Sequence, residues 1–320
     1  MDKTYVVGID IGGQTSKIGI VDARGTVLIQ SSIRTDTHTD AKLFVNDLCA
    51  ALNKLILEVG GIANIRGIGI GAPNGNFYTG TIENAVNLTW GGNTAIPFAK
   101  LMSDKMGVPV ALTNDANAAA VGEMTYGAAR GMKNFIMITL GTGVGSGIVI
   151  NGEVVYGHDG FAGELGHTTS VRNNGRQCNC GRTGCLETYA SAIGLARTAR
   201  EWLDSSNESS VLRNIPENIT SKDVFEAAYQ GDALAKRIFE YTGKKLGESF
   251  ADFVAFSAPE AIVLFGGLAR SGDLLLKPIE ESMNANLLHL WKNKIKIIFS
   301  QLKESDAAIL GASALAWELK

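Results

Sequence analysis

Val6-Val7-Gly8-Ile9-Asp10-Ile11-Gly12-Gly13-Gln14 opens on a strand and runs into a glycine turn, and the sequence around it decides the fold. Val6 to Asp10 reads as the strand and Ile11 to Gln14 as the turn. Ser16 to Val21 is the return strand, and Asp22-Ala23-Arg24-Gly25 is a tight turn before Thr26-Val27-Leu28-Ile29. The plan recurs later in the chain. Phe135 to Leu140 is a strand, Gly141-Thr142-Gly143-Val144-Gly145-Ser146-Gly147 the glycine turn, Ile148-Val149-Ile150 the return strand, and Asn151-Gly152 a hairpin turn before Glu153-Val154-Val155-Tyr156. Asn-Gly favours a two-residue hairpin because both positions tolerate positive φ, which matches the twist of the flanking strands. A meander written twice predicts two related domains.

Neither glycine turn has the context of the common nucleotide fingerprints. A Walker A loop needs Gly-Lys-Ser/Thr opening a helix, and a dinucleotide site needs strand, glycines, helix and a distal acid. A glycine-rich hairpin tip still binds phosphate, because successive backbone N–H groups converge on an anion where no side chain blocks the approach. Two such tips, with Gln14, Thr15 and Thr142 beside the glycines, suit a polyphosphate; the plainer alternative is a pair of tight turns. Ala261-Ile262-Val263-Leu264-Phe265 reads as a buried strand ending in Gly266-Gly267, before helix-like sequence from Asp273 to Leu288. Two glycines there would let a flat ring such as adenine lie against the backbone, although a simple strand-to-helix turn explains them as well.

Glycine is the compositional outlier, 38 of 320 residues against a usual ~7%, and its clustering in these motifs points to close backbone approach to ligands. The length predicts two domains. A formal net charge of −3 gives no electrostatic footprint for nucleic acid or an anionic membrane, and no stretch approaches the ~18 apolar residues of a membrane span. The expectation is a soluble cytoplasmic protein whose partner is a small molecule or another protein. Helices are predicted over Asp232 to Ser257, ending before Pro259, and over Asp306 to Leu319, with Ser305 or Asp306 as cap.

Three of the four cysteines fall in Cys178-Asn-Cys180-Gly-Arg-Thr-Gly-Cys185-Leu-Glu187, with Glu164-Leu-Gly-His167 just upstream. Thiolates and imidazole are the ligands of a tetrahedral structural Zn²⁺, with His167 closing the set of Cys178, Cys180 and Cys185. A disulfide is the weaker reading, since a Cys-x-Cys bridge is strained. Cys49, in an apolar stretch, reads as a buried small hydrophobe. Thr113-Asn114-Asp115-Ala116 places Asp115 where an apolar strand meets an alanine-rich helix. Taken alone, Asn114 or Asp115 is a helix cap. Beside Glu164, His167 and Glu187, which suit sugar hydroxyls, and with phosphate-binding glycines, Asp115 becomes part of a polyol kinase.

These motifs together resemble the ROK family of bacterial sugar kinases and sugar-responsive repressors, which have the actin-like, ribonuclease-H-type α/β ATPase fold with two domains and a cleft between them. The Cys178-x-Cys180-Gly-x-x-Gly-Cys185-x-Glu187 and Glu164-x-Gly-His167 segments are similar to the signature of the family's glucokinases. The resemblance implies Asp115 as catalytic base, with Asn87, Asn114, Glu164, His167 and Glu187 as sugar ligands. His167 would serve both zinc and sugar. It implies ATP and Mg²⁺ as cofactors, held by Asp10, Gly12, Gly13, Gln14, Thr15, Lys17, Gly141, Thr142, Gly143, Gly266 and Gly267, with Asp10 on Mg²⁺ through water. It also implies a homodimer, a smaller domain of residues 1–114 completed by a helix at about 305–320, and a larger domain of residues 115–304 carrying the zinc site.

Two departures from the family pattern stand out. Gln14 replaces the usual threonine of the first phosphate loop, and Ala72-Pro73-Asn74-Gly75-Asn76-Phe77-Tyr78 replaces a Pro-Gly-Pro sugar loop. The expected activity is ATP-dependent phosphorylation of a hexose, glucose first. Fructose, mannose, N-acetylmannosamine or allose are the alternative substrates, and polyphosphate the alternative donor. A non-catalytic sensor of the repressor branch carries a helix-turn-helix before its first strand, whereas here a strand begins by residue 5.

Overall fold

The first meander folds as three antiparallel strands, β1 (Tyr5–Ile11), β2 (Thr15–Asp22) and β3 (Val27–Arg34). Two further strands, β4 (Ile65–Ala72) and β8 (Val110–Asn114), add parallel to β1, giving the order β3-β2-β1-β4-β8. β1 sits at the centre, and this explains why its sequence is almost continuously apolar. The edge strand β3, paired to β2, alternates between half-buried and exposed residues. The strands β5 (Gly75–Asn76), β6 (Thr81–Glu83) and β7 (Ala95–Ile96) form a small separate sheet. The computed structural model describes residues 4–92, 94–215 and 218–319.

Helices cover this first sheet. In α1 (Ala41–Glu58), Phe44, Val45, Leu48, Leu52, Leu55 and Ile56 recur at helical spacing and are buried in one core with Val7, Ile9, Ile18 and Ile68. Each such side chain contributes roughly 1.5–3 kcal/mol when fully buried. Asp40 caps α1 by accepting from the N–H groups of Lys42 and Leu43. Cys49 lies in this core with its Sγ beside Met102 of α2 (Phe98–Met106), as expected of a small hydrophobe. The closing helix α9 (Glu304–Trp317) approaches β1 and β4 so closely that a Cβ at Gly8 or Gly69 would meet the carbonyl of Ile309 or Ala312. Those glycines are a helix seat. α3 (Asp115–Tyr126) packs on α9 with Gly122 against Gly311.

The second meander contains β9 (Phe135–Leu140), β10 (Val144–Ile150) and β11 (Glu153–Val154), and continues through β12 (Ala261–Phe265) and β13 (Lys296–Phe299) in the order β11-β10-β9-β12-β13. β12 runs parallel to both β9 and β13. Its helices are α4 (Glu187–Ala190), α5 (Ala192–Ser205), α6 (Ser221–Tyr229), α7 (Ala233–Ser257) and α8 (Asp273–Asn286). Phe239, Leu246, Phe250 and Val254 of α7 share a core with Ile136, Ile262 and Leu264. The long helix is capped by Asp232, whose side chain accepts from Ala235 N–H. It stops at Ala258, in the left-handed conformation one residue before Pro259.

The chain divides into two compact units, Met1–Met132 with Gly147–Gly163 and Ser300–Lys320, and Lys133–Ser146 with Glu164–Phe299. This differs from a split at residue 114. α3 belongs with the first unit because its small residues pack on α9 and on Gly147. Three local expectations also change. β10 begins at Val144, so residues 145–147 are strand and the turn is shorter than the glycine run. The strand expected over 153–156 stops at Val154. α9 starts at Glu304, which puts Ser305 and Asp306 inside its first turn; Lys303 occupies the cap position without a side-chain bond.

Candidate active site

In the first unit, the parallel strands deliver their chemistry at one edge. Asp10 on β1 is in register with Gly71 on β4, and Gly71 with Thr113 on β8. Asn114 and Asp115 therefore leave the carboxyl end of β8 beside Asp10, where open α/β sheets place ligands. Asn114 is extended and its Oδ1 accepts from Ala116 N–H at 2.8 Å, so it caps α3. Asp115 Oδ1 accepts from the same N–H at 2.8 Å. Asp115 is densely surrounded by protein yet open to solvent on one side. The surrounding protein raises its carboxyl above the usual range, and the open side lets water limit the effect. Asp10 is pushed up to about 6, first by burial and then by the charge of Asp115, while Lys17 opposes the shift from the paired position on β2.

The first glycine turn lies next to this pair. A Cβ on Gly13 would meet the carbonyl of Asn87, so the turn and the 84–90 loop pack backbone to backbone. Gly12 and Gly13 are half-buried, whereas Gln14, Thr15, Lys17 and Asn87 are exposed. Gln14 uses its carbonyl to accept from Thr35 N–H at 2.9 Å. The unusual 72–78 segment ties itself to the 156–160 loop. Buried Asn76 donates to Asp159 O at 2.8 Å and to Glu83 Oε1 at 3.2 Å, and Tyr78 donates its hydroxyl to Gly157 O at 2.8 Å. Phe77 stacks on Tyr156 with centroids 4.1 Å apart. These contacts join residues remote in sequence, and no local pattern announces them.

In the second unit, Gly141, Thr142 and Gly143 form the tip between β9 and β10, closed by Gly141 N–H donating to Gly143 O at 3.1 Å. Glu187, at the start of α4, reaches this tip: its Oε2 accepts from Val144 N–H at 2.9 Å. Glu164 precedes, and His167 ends, a single 3₁₀ turn, Leu165–His167, whose Leu165 N–H donates to Ser146 Oγ at 3.0 Å. Gly266 adopts φ 103° against the Leu140 carbonyl, a place that excludes a side chain. Beside it, Gly267, Leu268, Arg270, Ser271, Ser221, Lys222 and Phe225 line a cavity of about 290 Å³. Phe225 and the bare backbone of Gly267 suit a planar ring.

The ligand atoms of His167, Cys178, Cys180 and Cys185 all lie within 4.8 Å of one another. Cys180 and Cys185 Sγ are 3.7 Å apart, and Cys178 Sγ is 3.7 Å from His167 Nδ1. Metal–sulfur bonds of ~2.3 Å in a tetrahedron give edges of about 3.7 Å, so the cluster fits one four-coordinate ion. Arg176 fixes the base of this loop, a role that sequence reading missed. Its guanidinium is buried, pairs with Glu201, donates to Thr188 O at 2.7 Å and Thr198 Oγ1 at 2.9 Å, and lies 4.6 Å over the Tyr189 ring.

The expected residues therefore assemble within each unit, Asp10, Gly12, Gly13, Asn87, Asn114 and Asp115 in the first, and Gly141, Gly143, Glu164, His167, Glu187 and the cysteines in the second. The chain is 38% identical to a glucokinase of Halalkalibacterium halodurans, covering 98% of this chain and 96% of that one. It is 34% identical to a glucokinase of Thermotoga maritima over 99% of both. Among solved structures, a ROK family glucokinase from Streptomyces griseus in complex with glucose and AMPPNP superposes with a TM-score of 0.79 at 33% identity, over 98% of this chain and 99% of that one. The ROK family model matches residues 6–318, nearly the whole length, and the chain belongs to the ROK family.

Proposed function

We propose that this protein is an ATP-dependent hexokinase that converts glucose to glucose 6-phosphate. The observation that carries the reading is Asp115, a carboxylate with a raised proton affinity, open to solvent, at the start of a helix and beside the half-buried Asp10. In this reading Asp115 accepts the proton of the sugar C6 hydroxyl as its oxygen attacks the γ-phosphorus of ATP, and the bond from phosphorus to the β,γ-bridging oxygen breaks to release ADP. Asn87, Asn114, Glu164, His167 and Glu187 orient the sugar. The backbones of 12–13 and 141–143 hold the phosphates, with Gln14, Thr15, Lys17 and Thr142 around them and Gly266-Gly267 under the base.

Asp10 would hold Mg²⁺, which would supply positive charge against the phosphates. His167, Cys178, Cys180 and Cys185 would hold a Zn²⁺ whose role would be structural, since four protein ligands leave no open position. His167, whose Nδ1 lies 3.7 Å from Cys178 Sγ, would then have its ring orientation fixed, presetting Nε2 as a hydrogen-bonding group for sugar. The working protein is a cytoplasmic homodimer that supplies glycolysis. What supports glucose is the agreement over nearly full length with named glucokinases.

The test is ADP release measured with ATP, Mg²⁺ and a panel of glucose, fructose, mannose, N-acetylmannosamine and allose. Glucose should give the highest kcat/KM. Absence of sugar-dependent ADP release with every member would overturn the kinase reading, and preference for another hexose would move the substrate alone.

A further inference from the structure

Glu187 stands where two parts of the second unit meet. Its Oε2 accepts the Val144 N–H at 2.9 Å, directly behind the glycine tip, and a Cβ added to Gly143 would collide with that same oxygen. Its Oε1 faces the other way, 3.9 Å from Cys178 Sγ, which is itself 3.7 Å from His167 Nδ1. The residue thus spans from the phosphate hairpin to the metal and imidazole cluster with a single carboxylate. Gly143 is glycine in part because Glu187 occupies the space a side chain would need.

Other bonds show that the hairpin is suspended from this region. Gly141 O accepts from Ala192 N–H at 2.8 Å, the first residue of α5, which follows α4 after one intervening serine. Ser146 Oγ accepts from Leu165 N–H, and Gly166 packs against the Val144 carbonyl with no room for a Cβ. Of these supports, Glu187 alone is both charged and among the expected sugar-binding groups. A carboxylate accepting a backbone N–H makes a strong, short-range bond, so the angle of Val144, and with it the N–H groups of the tip, depends on where that carboxylate sits.

We infer that Glu187 is a positioning residue for the nucleotide phosphates as well as a sugar ligand, so that acceptor and donor sites are mechanically joined through its two oxygens. This rests on the kinase reading above. One oxygen holds the hairpin in the shape that receives the phosphates, and the other remains for the sugar. A residue that bound sugar alone would leave nucleotide affinity untouched when no sugar is present.

The experiment is calorimetric titration of AMPPNP with Mg²⁺ into sugar-free protein, for wild type, Glu187→Ala and Glu187→Gln, with zinc content and melting temperature measured on each sample. Removing a negative charge near a polyphosphate would by itself tighten binding, so a weakening has the opposite sign to simple electrostatics. Glu187→Ala should weaken AMPPNP roughly 10–100-fold, the scale of losing a hydrogen bond to a charged group, and the Val144 amide should exchange its hydrogen faster. Glu187→Gln keeps an acceptor oxygen for Val144 N–H and should restore affinity to within about 3-fold, while glucose binding stays impaired. Wild-type AMPPNP affinity in a folded Glu187→Ala protein would overturn the inference and leave the kinase reading standing. A wild-type protein that binds no AMPPNP, with or without glucose, would remove both.

Discussion

Asn114 and Asp115 aim their side-chain oxygens at one donor, the Ala116 N–H, each at 2.8 Å. One N–H cannot satisfy two acceptors fully, so Asn114 suffices as the helix cap and Asp115 is spared for another task. Asp115→Asn should therefore fold with near wild-type stability. It should lose about 10²–10⁴-fold in kcat, the usual cost of a missing positioned base, with a smaller change in glucose KM. Near-normal kcat in a steady-state assay would return Asp115 to a capping role.

The Asp10 carboxyl is raised from 3.8 to about 6 by burial and by Asp115. A group held above its unfolded value stabilises the fold fully below that unfolded value and loses the contribution as pH rises through the folded one. Without divalent cation, the melting temperature should fall as pH rises from about 4 to about 6. Mg²⁺ should offset that loss, so its stabilising effect should be greater at pH 8 than at pH 5. Equal Mg²⁺ shifts at both values in a fluorimetric melt would detach Asp10 from the metal.

Cys178→Ala should deplete bound zinc and lower the melting temperature by on the order of 10 °C, as expected for a loss of several kcal/mol in a unit of this size. Elemental analysis and calorimetry report the two effects together. Zinc-free wild-type protein that melts like a chelator-treated sample would show the thiols to be idle.

Gln14 is exposed on the first phosphate turn. Gln14→Thr should lower KM for ATP about 2–5-fold, the scale of one exposed hydrogen bond, with glucose KM unchanged. A change confined to glucose KM would place this turn on the sugar side.

Asn76 is almost fully buried and links the 72–78 segment to Asp159 and Glu83. Asn76→Ala leaves the Asp159 carbonyl without this donor and should cost about 1–3 kcal/mol, read by urea denaturation. The hexose preference should broaden, because Phe77 and Tyr156 lose the turn that holds them stacked.

The repeated meander was legible because Gly12-Gly13 and Gly141 to Gly143 interrupt strong β patterns at short range, and the clustering of the thiols because Cys178, Cys180 and Cys185 lie within eight residues. Asp115 was legible as the start of α3 from Asn114-Asp115-Ala116. The extent of β10 was not, since glycine signals a turn by propensity, while Gly145 and Gly147 are strand residues. The allocation of α3 to the first unit was hidden as well. It depends on Gly122 meeting Gly311, a contact between residues far apart in the chain. Arg176 and Asn76 gave no signal because their partners are backbone carbonyls and side chains brought near only by folding.

The glycine seat on β1 and β4 sets an order of events during biosynthesis. Gly8 and Gly69 leave the ribosome well before α9, whose backbone fills the groove they open. At translation speeds of ~5–20 residues per second, the groove waits on the order of tens of seconds for its occupant. The first sheet is then a nascent surface needing protection, and its unit becomes complete only once α9 has been made.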